Sequence, residues 1–270
     1  MSGRAHAVQL AARLGDRDLA ILASLREFRL MTGAQLRRLH FPGGQFVTQA
    51  RKARAALQRL TALRVVVRLD RRVGGVRAGS EGHIYSLSGR GYAVLALDQA
   101  IPRRHGRIID TKIAFQSHVL AVSQLAVELR EQERTGVCVV EELRAEPGAW
   151  RWFSGIGGGR RVLKPDAYVR LAVGEYVLSH FIEIDQATES LPTITRKCAV
   201  YVDYWRSGQE QRMHGVFPRI WWLVPNAARL TAITAAIRRL PADTHAVFAV
   251  ALASDAHALL TQLDPQGGAR

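Results

Sequence analysis

The sequence predicts an α+β / α/β chain in two parts: a small helical domain closed by a β-hairpin, then an α/β domain with a mixed sheet. Charge segregation is the first observation behind this. The chain carries 38 Lys+Arg against 23 Asp+Glu, a formal net charge of +15. Residues 1–110 hold 20 of those basic residues and 7 acidic ones, whereas residues 111–270 hold 18 and 16. A basic module joined to a near-neutral partner is the expected organisation. The second observation is three helix-length stripes followed by two short alternating runs, all within the basic part. The third is the order helix, hairpin, helix, strand, helix, strand in the remainder, which describes helices layered on a mixed sheet. The boundaries expected are 1–97 for the first domain, 98–110 for a linker and 111–270 for the second domain.

In the first part, Leu19, Leu22, Ala23, Leu25 and Phe28 make an apolar stripe. Asp16 and Asp18 lie in its first turn, where the helix dipole favours acids. Leu30-Met31 interrupts the pattern, and Thr32 is a natural N-cap for a short helix through Ala34, Leu36 and Leu39. Phe41-Pro42-Gly43-Gly44 ends that helix. A third helix is expected from about Thr48 to Leu63, with Ala50, Ala53, Leu57 and Leu60 facing the core. Arg51, Lys52, Arg54, Gln58 and Arg59 lie off its stripe. Val65 to Leu69 reads as a strand, Arg71 to Gly82 as a basic, glycine-rich turn, and His83 to Leu87 as the returning strand. Ser88 is placed to cap a further helix from Tyr92 to Leu97.

Three short helices and a basic hairpin spell a winged helix-turn-helix, and the expected partner is double-stranded DNA. The third helix would present Thr48, Arg51, Lys52, Arg54, Gln58 and Arg59 to a major groove about 12 Å wide. Arg68, Arg71, Arg72 and Arg77 would set the wing against the backbone or in the minor groove. The competing readings are solvated surface arginines in an arginine-rich chain and a winged helix used for protein contacts. Only 4 of the 38 basic residues are lysines, which explains the choice of arginine but not its segregation.

The span 98–110 (DQAIPRRHGRIID) has a proline, a glycine and no periodicity, as a linker should. Beyond it, Ala114 to Leu129 reads as a helix and Val137 to Val140 as a strand. Gly155, Gly157, Gly158 and Gly159 lack the Lys-Ser/Thr of a phosphate-binding loop, so a mobile loop or hairpin tip is expected there. Val162 to Leu171 and Tyr176 to Asp185 read as strands joined by a short turn. Thr188-Glu189-Ser190 and Pro192 open a helix through Tyr204. Arg219 to Val224 is a strand, Asn226 caps a helix to about Leu240, and Ala246 to Leu252 is a last strand.

Asp166 stands at the start of one strand, Glu183 near the end of the next, and Asp185 two residues on, so period-two alternation puts Glu183 and Asp185 on one face. If these strands pair, the three carboxylates converge. Converging hard oxygen ligands suit Mg²⁺ or Mn²⁺, which can polarise a phosphodiester. Without an active site of this kind no cofactor is expected. In the alternative, Asp166 is a strand-end residue, Glu183 a half-buried acid paired with an arginine, and Thr188 or Ser190 a helix cap.

Pro165-Asp166 followed after 17 residues by Glu183-Ile184-Asp185 resembles the PD-(D/E)xK nuclease core. That resemblance implies a restriction-endonuclease-like α/β domain with Asp166, Glu183 and Asp185 as metal ligands. The third motif position is Asp185 where the family has lysine. Lys197, one helix later, would supply the catalytic amine from a displaced position, with Lys164 a weaker substitute. The chain as a whole resembles the replication-relaxation family of plasmid and integrated mobile-element proteins. The resemblance runs through Arg17-Asp18-Leu19-Ala20-Ile21-Leu22, Tyr85-Ser86-Leu87-Ser88-Gly89-Arg90-Gly91, Lys164-Pro165-Asp166 and the block Phe181 to Ser190, of which Glu183-Ile184-Asp185-Gln186-Ala187-Thr188-Glu189-Ser190 is the most specific part. It implies DNA binding in plasmid replication, relaxation or transfer and defines no catalytic activity.

Three functions are carried forward. The first is a DNA-binding mobile-element protein. The second is a divalent-metal DNA endonuclease or nickase using Asp166, Glu183, Asp185 and Lys197. The third is a dimeric transcriptional regulator binding a palindrome. A nuclease fold kept as a DNA-contacting or dimerising platform lies between them. No apolar run reaches the roughly 20 residues of a membrane span, and no signal-peptide core opens the chain, so a cytoplasmic location without a membrane partner is expected. Cys138 and Cys198 are read as reduced core residues with no disulfide partner. The five tryptophans and His118 are read as core. No Ser nucleophile elbow or catalytic Cys context occurs.

Overall fold

A computed structural model describes residues 3–69, 82–97, 113–155 and 158–263. The chain is a mixed α+β protein that divides into two compact units, Met1–Val127 and Glu128–Arg270. The expected linker, 98–110, lies outside the described residues, as do Arg71, Arg72 and Arg77 of the expected wing.

The first unit contains α1 (Gly3–Ala11), α2 (Asp16–Phe28), β1 (Leu30–Thr32), α3 (Gly33–His40), α4 (Phe46–Ala62), β2 (Val66–Leu69), β3 (Ile84–Leu87) and α5 (Gly89–Leu95). Asp18 in the first turn of α2 accepts the Gly15 N–H at 3.0 Å, so one of the helix's unpaired donors is satisfied. Thr32 and Gln35 form a reciprocal capping box at α3, with bonds of 3.1 and 2.9 Å. The strands form an antiparallel sheet in the order β1-β3-β2. Leu30-Met31, read from sequence as an interruption, is β1: Leu30 pairs with Ser86 and Thr32 with Ile84. Its partner is more than fifty residues away, so no local pattern reveals it.

The stripe predicted for α4 is the buried one: Ala53, Leu57 and Leu60 are almost fully enclosed. Gly91 is forced to be glycine by the approach of α5 to the start of β2, since a Cβ there would lie 2.3 Å from the Val65 carbonyl oxygen. Helix α6 (Ile113–Arg134) belongs to the first unit up to Val127. There Ser123 donates to the Leu30 carbonyl at 2.7 Å. Gln35 donates to the Leu120 carbonyl at 2.9 Å.

The second unit continues with β4 (Val139–Ala145), β5 (Arg151–Ser154), β6 (Arg160–Leu163), β7 (Ala167–Val173), β8 (Tyr176–Ile184), α7 (Leu191–Arg206), α8 (Gln209–His214), β9 (Arg219–Val224), α9 (Ala227–Ile237), β10 (Phe248–Leu252) and α10 (Ala256–Leu259). Its five-stranded sheet has the order β10-β9-β8-β7-β4. β4, β7 and β8 run antiparallel, and β8, β9 and β10 run parallel. Ser190 caps α7 through the Thr193 N–H, and Asn226 caps α9 through the Arg229 N–H at 2.9 Å. The core beside α7 and α9 is aromatic: Phe181, Tyr201, Tyr204, Phe217, Trp222 and Phe248 cluster with Ile194, Ile220 and Ile233. β5 and β6 form a separate two-stranded hairpin, closed by Ser154 opposite Arg160, with Gly155, Gly158 and Gly159 at its tip. Cys138 and Cys198 are both buried and free. Trp221 and Trp222 are core residues, whereas Trp152 is 50% exposed, against the expectation for it.

Candidate nucleic-acid interface and acidic centre

Two candidate sites emerge, one in each unit. On α4 the helical period separates the core stripe from an outward face, and Arg51, Lys52, Arg54, Gln58 and Arg59 are all exposed. Thr48 is partly buried on the first turn, beside the exposed Phe46 and Val47. The basic residues are not equivalent. Arg59 is spent on a brace, its guanidinium 2.6 Å from the buried Asp18 carboxylate of α2, whereas Arg51 and Lys52 extend from the helix on its solvent side. Arg68 is exposed on β2.

A groove of 1030 Å³ beside α4 is lined by Gln58, Thr61, Arg64, Arg68, Tyr85 and Arg90, among others. Arg64 and Arg90 were missed by the sequence reading. Both flank strand ends rather than a helical stripe, and only their nearness in chain order to β2 and β3 hinted at them. Arg37 was missed too: it stacks on the Phe46 ring at 4.3 Å and donates to Gln49, which in turn donates to the Pro42 and Gly44 carbonyls. These bonds fix the turn between α3 and α4, and with it the direction in which α4 leaves that turn.

In the second unit, pairing of β7 with β8 brings Asp166 beside the end of β8. The Asp166 N–H donates to the Ile182 carbonyl at 3.0 Å, and its carboxylate accepts the Ile184 N–H at 2.7 Å. Glu183 is almost wholly buried, accepting from the Tyr201 hydroxyl at 2.7 Å and from Lys197 at 3.3 Å. Lys197 also meets Glu189 at 3.0 Å. The fold therefore collects Asp166, Glu183 and Lys197. Tyr201, one turn after Lys197, was missed, although its i+4 spacing on α7 could have flagged it.

Asp185 lies past the end of β8, so strand alternation no longer governs it. It is held in a bidentate pair by Arg229, at 2.6 and 2.8 Å, while Arg229 also donates to the Glu189 carbonyl. Arg229 sits on α9, and nothing in sequence spacing linked it to Asp185.

Burial and the neighbouring Asp166 carboxylate push Glu183 up to about 8, against the downward pull of Lys197 and Tyr201. Burial pulls Lys197 down, but the carboxylates of Glu183 and Asp166 outweigh it and hold the amine cationic. Burial, then Glu183, raises the Cys198 thiol to about 12, so it is no nucleophile.

For a divalent ion the donor set is two carboxylates, Asp166 and Glu183. Mg²⁺ is commonly held by one or two carboxylates and water, and a cation would relieve the repulsion that raises Glu183. Both Glu183 oxygens already have donors, however, and Asp185 is committed to Arg229. Among the described residues no group of three or more His, Cys, Asp or Glu is arranged to hold a metal. No described helix is long and apolar enough to cross a membrane.

A family described as replication-relaxation matches residues 22–220, a span that takes in α4 and Asp166, Glu183, Asp185 and Lys197. Comparison with curated proteins and with solved structures gives no match.

Proposed function

The chain belongs to the replication-relaxation family, and from that premise we propose that it binds double-stranded DNA in the replication, relaxation or transfer of a plasmid or integrated mobile element. The observation that carries this reading is the outward face of α4, where Arg51, Lys52 and Arg54 stand exposed opposite a buried Ala53-Leu57-Leu60 stripe. In this reading α2, β1, α3, α4, β2 and β3 make up a winged helix-turn-helix. α3 braces α4, and α4 serves as the recognition helix in a major groove. Arg68, with Arg64 and Arg90 along the adjoining groove, meets phosphates beside it. Duplex binding followed by fluorescence anisotropy tests the reading. The triple variant Arg51→Ala/Lys52→Ala/Arg54→Ala is expected to lose binding while keeping its melting temperature. Full affinity in that variant would overturn the assignment.

A second reading, a divalent-metal endonuclease or nickase, is favoured by one observation: Asp166, Glu183 and Lys197 come together in a sheet-and-helix setting. In it Asp166 and Glu183 would hold the ion, which would polarise the phosphodiester. Lys197 would stabilise charge on the phosphate oxygens, and Asp185 would act only through its clamp on Arg229. Supercoiled plasmid incubated with Mg²⁺, Mn²⁺ or EDTA separates the readings. Metal-dependent nicking that disappears in Asp166→Ala and Glu183→Ala supports the enzyme. Intact plasmid with retained, salt-sensitive binding leaves the acidic centre as an internal brace.

A further inference from the structure

The β5–β6 hairpin is cross-linked to its own unit on one face and exposed on the other. On the inner face Phe153 packs against Tyr204 with ring centroids 5.0 Å apart. Arg151 meets the fully buried Glu210 at 3.3 Å and lies over the Tyr168 ring at 4.5 Å. Arg161 forms a short ion pair with Asp203 of α7. Gln209 of α8 donates to the Trp152 carbonyl at 3.0 Å. An isolated two-stranded hairpin is marginal in water, and these ties supply the packing that it lacks alone.

The register pairs Trp152 with Val162 and Ser154 with Arg160, so these four residues share the outer face. There Trp152 is 50% exposed, with the Arg160 guanidinium 4.3 Å from its ring centroid. Just beyond the hairpin, Lys164 lies 4.6 Å over the Trp150 ring. The result is an aromatic surface on a braced support, flanked by cations.

We propose that this face is a second nucleic-acid contact, which takes an unpaired stretch of DNA by stacking a base on Trp152 while Arg160 and Lys164 meet its phosphates. Only unpaired bases offer a free π-face to an indole; a duplex keeps its faces stacked inside. Every base has such a face, so the contact is expected to be indifferent to sequence. The proposal rests on the DNA-binding reading of the first unit, but the residues involved are different and the two fail separately.

The test uses the full chain, a fluorescein-labelled oligothymidylate and a duplex of equal length, both read by anisotropy. Trp152→Ala is expected to weaken single-strand binding roughly tenfold, the worth of one base stack, and to leave duplex binding unchanged. Trp152→Phe, which keeps a ring, should restore most of the affinity, and Arg160→Ala should lower single-strand affinity without unfolding the hairpin. Unchanged oligothymidylate binding in both Trp152→Ala and Arg160→Ala would overturn the proposal and leave the face to a protein partner. Equal losses for duplex and single strand would overturn it as well. If the α4 triple variant keeps duplex binding while Trp152→Ala loses the single strand, the reading of the first unit fails and this one stands.

Discussion

His180 offers a prediction that geometry and electrostatics fix together. It lies on β8 with 5% of its surface exposed, and its two ring nitrogens have different tasks. The Trp221 indole donates to Nδ1 at 3.1 Å, and Nε2 faces the Leu260 carbonyl at 3.1 Å. Nε2 therefore carries the proton and Nδ1 must stay bare. A second proton on Nδ1 would point at another donor inside the core. Burial lowers the pKa from 6.5 to about 4, with Arg219 adding in the same direction against the Leu260 bond. Because the folded value is depressed, the unfolded chain binds more protons between these two pH values. Stability is full above about 6.5 and falls away as pH drops toward 4. Between pH 7.5 and pH 5 the loss from this one group comes to about 2 kcal/mol. Urea unfolding at both pH values measures it. His180→Gln removes the titration, and its stability should fall by about 2 kcal/mol less than wild type over the interval. An imidazole that titrates near 6.5 by NMR, or identical pH slopes in the two proteins, would refute the reasoning.

Other outcomes follow from single contacts. Gly91→Ala should destabilise the first unit by about 2 kcal/mol, because its Cβ would meet the Val65 backbone carbonyl as well as the Leu87 side chain; calorimetric melting shows the effect as a lowered Tm. Arg229→Met should cost about 3 kcal/mol, since it takes the cation from Asp185, whose side chain is 1% exposed and would keep the Ala187 N–H; urea unfolding should show no such loss for the surface change Arg238→Met. Glu183→Gln should be far milder than Lys197→Met. The amide removes the repulsion from Asp166 and can still accept from Tyr201, whereas removing the amine takes away the cation that opposes the burial and repulsion acting on Glu183; a larger loss of stability in Glu183→Gln would contradict the electrostatics drawn for this centre.

Much of this was legible in the sequence where the signal is local. The stripe on α4, the caps at Thr32, Ser190 and Asn226, and the strands β2, β3, β8 and β9 follow from periodicity and side-chain chemistry within a few residues. What escaped depends on distant partners. β1 is three residues whose only strand-like property is its pairing with β3. β5 was hidden because Trp152 and Phe153 stand in a glycine-rich neighbourhood and pair locally only through β6. In the acidic centre, the expected pairing of the two strands does bring Asp166 beside the end of β8, whereas alternation along β8 would put Asp185 on the face of Glu183. Alternation could not say that β8 stops at Ile184, which frees Asp185 to turn to Arg229, 44 residues on. The exposed Trp152 shows the same limit: its composition reads as core, and only the hairpin register puts it outside.

The central claim is that α4 holds a DNA duplex, and the salt dependence of binding tests it most directly. Affinity for one duplex is measured across a series of salt concentrations, for wild type and for Arg51→Ala/Lys52→Ala/Arg54→Ala. Removing one cation that meets a phosphate should lower the slope of log K against log salt by roughly one. The account predicts a steep slope in wild type and a slope shallower by up to about three in the variant. A wild-type affinity indifferent to salt, or a variant with the wild-type slope, would contradict it.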